Sequence, residues 1–173
     1  MTMELLGLEF VEEFYSASEA GRARRGHLEG LMTIFPWIAI VDAFQHWVYT
    51  HPGHSVRERE EFWIGLWKRF GGGESWEGFE QFWRSRWQRQ LHLYQFPFYY
   101  IEYGISLLGA LGVWYNYRKS QNAGVEAYWK ALALGGSRPL PELFKAAGVP
   151  FDFGPGTIEP YARELRNILV SKR

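Results

Sequence analysis

Along the chain, apolar residues recur at helical spacing in segment after segment. No run of alternating apolar and polar residues reads as a strand. From Met3 to Tyr15 the period is carried by Leu5, Leu8, Val11 and Tyr15, with Glu9 and Glu13 to one side of the stripe. Ser16-Ala17-Ser18 turns the chain, and a second helix is expected from about Glu19 to about Thr50, basic at Arg22, Arg24 and Arg25 and apolar from Leu31 to Val41. Pro36 within it should remove one backbone hydrogen bond and bend it. His51-Pro52-Gly53-His54 is a turn, and Ser55-Val56-Arg57-Glu58 is a capping box, serine and glutamate each satisfying a donor of the first helical turn. The next helix has Phe62, Leu66 and Phe70 in one row and Trp63 and Trp67 beside it, and Gly71-Gly72-Gly73 stops it. A matching amphipathic helix is expected from about Ser75 to His92. It would put Phe79, Phe82, Trp83 and Trp87 inward and Arg84, Arg86 and Arg89 outward, forming an antiparallel hairpin with its predecessor.

The stretch Leu91 to Tyr117 is the most unusual. Pro97 lacks an N–H and so suits the first turn of a helix, predicting a start near Phe96. On that register Tyr100 and Tyr103 share a face and both phenols look outward, with Tyr99 on another face. Leu107, Leu111 and Trp114 continue the stripe at steps of three and four. Gly104, Gly109 and Gly112 each cost about 1 kcal/mol against alanine inside a helix, so close neighbours are expected there. After a polar break at Lys119 to Asn122, a helix runs from about Ala123 to Leu134 and ends at Gly135-Gly136. Pro139-Leu140-Pro141 starts a short helix that Gly148 ends, and Thr157 is placed as the N-cap of a last helix, Ile158 to about Val170. The fold class is all-α, a multi-helix bundle, and residues 1–173 form one helical domain without repeats or linkers.

Composition narrows the function. Lysine plus arginine number 19 and aspartate plus glutamate 19, so no net field favours nucleic acid or an anionic membrane. The absence of cysteine excludes disulfides, thiol catalysis and thiolate metal sites and fits the cytoplasm. MTMELLGLEFVEE carries acids where a secretion signal would carry basic residues. Neither Leu31 to Val41 nor the uncharged run Ile105 to Tyr117 is long enough to span a bilayer, and extending the latter would bury Glu102 at a cost of about 2.5–3.5 kcal/mol. The 18% aromatic content points to a thick helical core rather than a base-stacking surface, which would need a basic groove.

The candidate chemistry lies in His92, Tyr100 and Tyr103. A tyrosine hydroxyl can donate to negative charge that develops on a carbonyl oxygen without itself taking up a proton. The plainer reading is that these are amphipathic core residues with satisfied polar tips. Glu102 points to another face of the helix and, if buried, would need Arg86 or Arg89 as partner. His46, His51 and His54 straddle a Pro-Gly turn without a nearby acidic ligand in helical register, and His46 is better paired with Asp42 four residues earlier. His27 is expected at the surface. No serine lies in a nucleophile elbow, and Gly71 to Gly73 lacks the Lys-Ser/Thr of a phosphate loop.

The segments PFYYIEYGISLLGALGVW from Pro97, VDAFQHWVYTHP at Val41 to Pro52, RWQRQLH at Arg86 to His92 and LGGSRPLPELFKAAG at Leu134 to Gly148 resemble the C-terminal part of the catalytic domain of the oligoendopeptidase F family. That family is related to thimet oligopeptidase and other zincin-type metallopeptidases. The resemblance covers nearly the whole chain and implies a zinc-dependent metalloendopeptidase acting on short peptides. The family's zinc is held by an HExxH helix and a downstream glutamate; this chain contains no HExxH, so the resemblance places metal and general base upstream, in a missing N-terminal portion of the catalytic domain. It further implies that Tyr103 stabilises the oxyanion while His92 and Tyr100 hold the substrate backbone, and that the chain alone binds no zinc and is inert. The competing reading is a non-catalytic helical module that binds a peptide or protein partner.

Overall fold

The computed structural model describes residues 1–171, and among them it contains helices, turns and loops but no strand. Helix α1 (Thr2–Gly7) passes into a 3-10 turn over Leu8–Glu13, and α2 (Ala17–Thr50) is the longest element. α3 (Val56–Phe70), α4 (Glu80–Ser85) with a 3-10 turn over Arg86–Arg89, and α5 (His92–Gln95) follow. The chain then forms α6 (Ile101–Lys119), α7 (Gln121–Leu134), α8 (Leu140–Ala146) and α9 (Pro155–Ser171). Contacts divide it into two units, one comprising residues 31–104 and the other residues 1–30 with residue 105 onward. The division falls inside α2 and α6.

The unit of residues 31–104 is built around aromatic rings, which accounts for the composition. Ile40 and Phe44 of α2 bury against Trp63 and Leu66 of α3 and against Trp87. Trp63 is fully enclosed, its ring 5.0 Å from Phe44 and 5.9 Å from Trp37 in edge-on arrangements, the geometry that opposite edge and face charges favour. Its indole N–H donates to the Trp83 carbonyl at 3.0 Å, so the polar tip is satisfied as the ring is buried. The capping box forms as read: the Ser55 hydroxyl accepts from the Glu58 N–H at 3.2 Å, and the Glu58 carboxylate accepts from the Ser55 N–H at 2.7 Å. By length and composition α2 could cross a membrane, with a mean hydropathy of 1.3 in its apolar window. A third of that window is buried, including Ile38, Ile40, Val41 and Phe44, of which Ile40 and Phe44 belong to this aromatic core.

Two expectations fail in this unit. The helix expected over residues 75–92 is cut into α4, a 3-10 turn and α5. Gly78 at φ +80 turns the chain in a region that other residues avoid, so α4 begins only at Glu80, and Gln90 is extended at φ −86, ψ 91. Phe79 and Phe82, expected inward, are 60% and 67% exposed, whereas Trp87 is buried. Arg86, expected outward, is half-buried with its guanidinium 5.2 to 5.8 Å from the ring centres of Trp37, Trp67 and Trp76. The helix expected from Phe96 begins instead at Ile101, because Phe98 adopts φ +62, a left-handed conformation no helix can contain. Pro97 therefore belongs to a turn.

In the other unit the apolar stripe of α6 is buried at Leu107, Leu111 and Trp114, as its spacing predicts. Close approach explains two of the three glycines: a methyl on Gly109 would lie 2.8 Å from the Phe144 ring and one on Gly112 would overlap Val149, whereas at Gly104, in the unit of residues 31–104, it would meet Ile38 only at an ordinary 3.4 Å. Val113, Ala147 and Val149 pack here with Tyr128, Ala131 and Phe144. Across longer sequence gaps, the Tyr117 hydroxyl donates to Glu9 at 2.9 Å and Arg118 pairs with Glu164 at 2.7 Å. Thr157 is not an N-cap: α9 starts at Pro155, and Asp152 takes the hydrogen bonds of the Thr157 hydroxyl and the Gly154 N–H. Tyr161 and Leu165 are buried on its inner face. His27 is half-buried, with its Nε2 enclosed, rather than a surface residue.

Candidate active site

The residues His92, Tyr100 and Tyr103 come together within the unit of residues 31–104. His92 opens α5, and after the Phe98 turn Tyr100, just before α6, and Tyr103, in its first turn, come back over the imidazole. The backbone is tied on both sides of that turn, by Tyr99 N–H to the Phe96 carbonyl at 3.2 Å and Tyr103 N–H to the Tyr100 carbonyl at 3.3 Å. A left-handed phenylalanine costs of order 1–3 kcal/mol, and such conformations concentrate where a site needs them.

The imidazole is enclosed by four rings. Tyr100 and Tyr103 meet it edge-on at 5.1 and 5.6 Å, Tyr99 stacks at 6.3 Å with 9° between planes, and Phe96 tilts at 6.1 Å. Its nitrogens are both engaged, Nδ1 with the Gln90 amide nitrogen at 2.7 Å and Nε2 with the Tyr103 hydroxyl at 3.1 Å. With the Gln90 amide donating to Nδ1, a neutral imidazole carries its proton on Nε2 and donates it to the Tyr103 oxygen. A phenol that accepts a hydrogen bond becomes a better donor through its own O–H, because the two bonds polarise one another. Gln90 therefore sets the tautomer and His92 tunes the phenol.

The two tyrosines differ in environment. Tyr103 is 40% exposed, whereas Tyr100 is only 8% exposed, so the expectation that both phenols look outward holds for one alone. The Tyr100 oxygen accepts from the Trp37 indole N–H at 2.7 Å, which draws the ring inward. Burial pushes its pKa upward; the Trp37 hydrogen bond opposes that shift and the neighbouring Tyr103 adds to it. Tyr100 therefore stays a neutral donor at any physiological pH. Its ring lies 5.2 Å from that of Tyr103, so the two are adjacent despite the displaced helix start. Tyr99 does not point elsewhere but joins the cluster through the Phe98 turn, 5.6 Å from Tyr103.

Sequence reasoning missed Gln90 and Trp37. Gln90 precedes His92 by two residues, a spacing without meaning in the long helix expected there, and Trp37 lies 63 residues from Tyr100 with no local mark of the contact. Glu102 is exposed and needs no cationic partner. His46 faces Asp42 at 3.6 Å as its spacing predicts, His51 stacks on Trp47 at 4.9 Å, and His54 Nε2 accepts from Arg59 at 2.7 Å. Among the described residues no three His, Cys, Asp or Glu side chains converge, and both nitrogens of His92 are occupied. These residues do not fit a zinc ion, which needs three protein ligands and an open position.

A pocket of about 610 Å³ lies in the other unit, and none of the three candidates lines it. Three of its four arginines hold acidic partners, Arg24 with Glu12 at 2.6 Å, Arg25 with Glu29 at 2.8 Å and Arg118 with Glu164 at 2.7 Å, and Arg22 donates to the Ser18 hydroxyl at 2.8 Å. The His92 cluster, by contrast, brings a phenol, an imidazole and an amide into one hydrogen-bonded row.

Comparison with solved structures finds the same arrangement of helices in larger proteins. PZ peptidase A, solved with inhibitor 2, matches with a TM-score of 0.87 and 27% identity over 98% of this chain and 30% of its own. A structure assigned as oligoendopeptidase F matches with a TM-score of 0.81 and 29% identity, again over 98% of this chain and 30% of its own. A second structure so assigned, from Bacillus anthracis str. Ames, matches with a TM-score of 0.75 and 25% identity over 98% of this chain and 27% of its own. This chain thus spans less than a third of the length of each. No curated protein matches it in sequence. The sequence pattern of peptidase family M3 matches residues 1–156, which include the whole candidate site, and the chain belongs to that family.

Proposed function

We propose that this chain forms the helical, C-terminal part of the catalytic domain of a zinc-dependent metalloendopeptidase of the oligoendopeptidase F type, acting on short peptides. The observation that carries the reading is the 3.1 Å bond between His92 Nε2 and the Tyr103 hydroxyl, with the Tyr100 phenol beside it. In peptide hydrolysis the carbonyl oxygen becomes an oxyanion, and a donor aimed at that oxygen strengthens as charge develops. Tyr103 is the donor because its phenol is exposed and is polarised by His92. Tyr100, neutral and anchored by Trp37, positions the substrate backbone, and His92, with both nitrogens engaged by Gln90 and Tyr103, contributes its ring face and acts through Tyr103. On this reading the zinc ligands and the general base come from sequence outside this chain, and the chain alone should not cleave peptides.

The test uses the chain joined to an upstream HExxH-containing segment. Tyr103→Phe keeps the ring and removes the donor, and should lower kcat by about 10²–10³ with KM nearly unchanged. Full turnover in that variant would remove Tyr103 from the reaction. Hydrolysis by the isolated chain that a chelator abolishes would show that its own residues hold the metal.

A further inference from the structure

Beside the candidate site lies a pocket of about 230 Å³ lined by Trp37, Arg86, Arg89 and Gln90, all within the unit of residues 31–104. Two of these four residues are the hydrogen-bond partners of the site itself: Trp37 donates to Tyr100, and Gln90 engages His92. The other two are cations without an acidic partner. In the same unit Arg57 pairs with Glu61 at 2.8 Å and Arg84 with Glu60 at 3.8 Å, whereas among the described residues Arg86 and Arg89 form no ion pair, nor do Arg59, which donates to His54, and Arg69, which lies over the Phe70 ring. Arg86 is half-buried and its charge rests on three indole faces, Trp37, Trp67 and Trp76. Stacking occupies the faces of a guanidinium and leaves its N–H groups free in the plane, which is the edge that grips a carboxylate in bidentate fashion. A half-buried cation that lacks a counter-ion among the described residues is poised for one supplied by a ligand.

We infer that Arg86 and Arg89 form a subsite for a carboxylate of the bound peptide, so that an anionic group anchored in this pocket helps to set which peptide bond faces Tyr103. The inference rests on the peptidase reading and adds to it a basis for substrate choice. The pocket is too small for a polypeptide segment but has room for a carboxylate, and the Trp37 and Gln90 links fix it relative to Tyr100 and His92. Either the terminal α-carboxylate or an acidic side chain has the required chemistry.

Three peptides separate these sources: N-acetyl-Ala-Ala-Phe with a free C-terminus, the same peptide amidated, and amidated N-acetyl-Ala-Glu-Phe. Each is titrated into the 173-residue chain while the arginine Nε–H and tryptophan Nε1–H signals are followed by nuclear magnetic resonance. A carboxylate-bearing peptide should bind about tenfold more tightly than its neutral counterpart and shift the Arg86 and Trp37 signals, as expected for loss of a charge-assisted hydrogen bond. If only the free acid gains, the α-carboxylate is the ligand; if only the glutamyl peptide gains, the side chain is. Arg86→Gln should abolish the preference, and Arg89→Gln, a change at an exposed residue outside the ring stack, should reduce it without disturbing the fold. Equal binding of all three, with the His92 and Tyr103 signals shifting, overturns the carboxylate subsite and leaves the peptidase reading standing. No shift at any of these residues with any peptide also overturns the subsite, whereas the peptidase reading falls only if Tyr103→Phe keeps full turnover in the joined chain.

Discussion

Removing the Trp37 indole N–H tests the packing that holds Tyr100 in the site. The bond to the Tyr100 oxygen is 2.7 Å long in a partly buried setting. Trp37→Phe keeps a ring against Trp63 and Trp67, each 5.9 Å away, but leaves the phenol oxygen without its donor. Loss of the bond with one group left dry should cost about 1–3 kcal/mol, and the poorer ring packing about 0.5–1.5 kcal/mol more. Tyr100→Phe strands the indole N–H instead, at about 1–3 kcal/mol. Because both single changes break the same bond, the double variant should be less destabilised than their sum, by about 1 kcal/mol. Urea unfolding of the wild-type chain and the three variants gives the four stabilities, provided the slope m is the same in all. A coupling below about 0.3 kcal/mol, the level expected of independent sites, would refute the bond and with it the buried placement of Tyr100.

Other expectations are independent of that bond. Gly112→Ala should destabilise by about 1–2 kcal/mol, since overpacking against Val149 and the Tyr161 hydroxyl outweighs the gain in helix propensity, whereas Gly26→Ala, with open space around it, should stabilise by up to about 1 kcal/mol. Thermal midpoints moving the same way in both variants would contradict the packing. Burial raises the Tyr100 pKa above its ordinary 10.0, so the unfolded phenol ionises first. Its contribution to stability is intact below pH 10 and is lost as pH climbs through the folded value. Tyr100→Phe should therefore flatten the alkaline limb of stability against pH by up to about 1.4 kcal/mol per pH unit, and an unchanged limb would show that the phenol is not buried. Hydrogen bonds from Ser55, first its backbone N–H and then its hydroxyl, hold the Glu58 carboxyl below its ordinary 4.5. The stability this capping box contributes should be present above pH 4.5 and fade as pH falls through the lower folded value, and Glu58→Gln should remove that acid dependence.

What the sequence reveals is what local chemistry determines. The start of α3 is written in Ser55 and Glu58, whose bonds span three residues, and the buried stripe Leu107, Leu111 and Trp114 follows from helical spacing alone. The segment 75–92 has an equally good helical pattern, but tertiary packing overrides it: Trp76 stacks on Trp83 at 6.0 Å with 4° between planes, across the Gly78 turn. The start of α6 was misplaced for a similar reason, since Pro97 suits a first helical turn and a sharp turn equally well, and only the packing of Phe98 against His46 and Tyr49 distinguishes them. Spacing and family resemblance together single out His92, Tyr100 and Tyr103. They do not give the inward anchoring of Tyr100 or the tautomer set by Gln90, because both depend on partners that become neighbours only when the chain folds.

The central claim is that Tyr103, polarised by His92, acts on charge that exists only in the transition state. The most direct measurement compares binding of two inhibitors to the chain joined to an upstream HExxH-containing segment, before and after Tyr103→Phe. One inhibitor is a peptide with a tetrahedral, anionic phosphinate at the scissile position; the other is an unreactive peptide of the same sequence with an ordinary geometry there. The account predicts that the variant loses phosphinate affinity by about the same factor as it loses kcat/KM, about 10²–10³, while the unreactive peptide binds as before. Equal weakening of both inhibitors, or of neither, would contradict it.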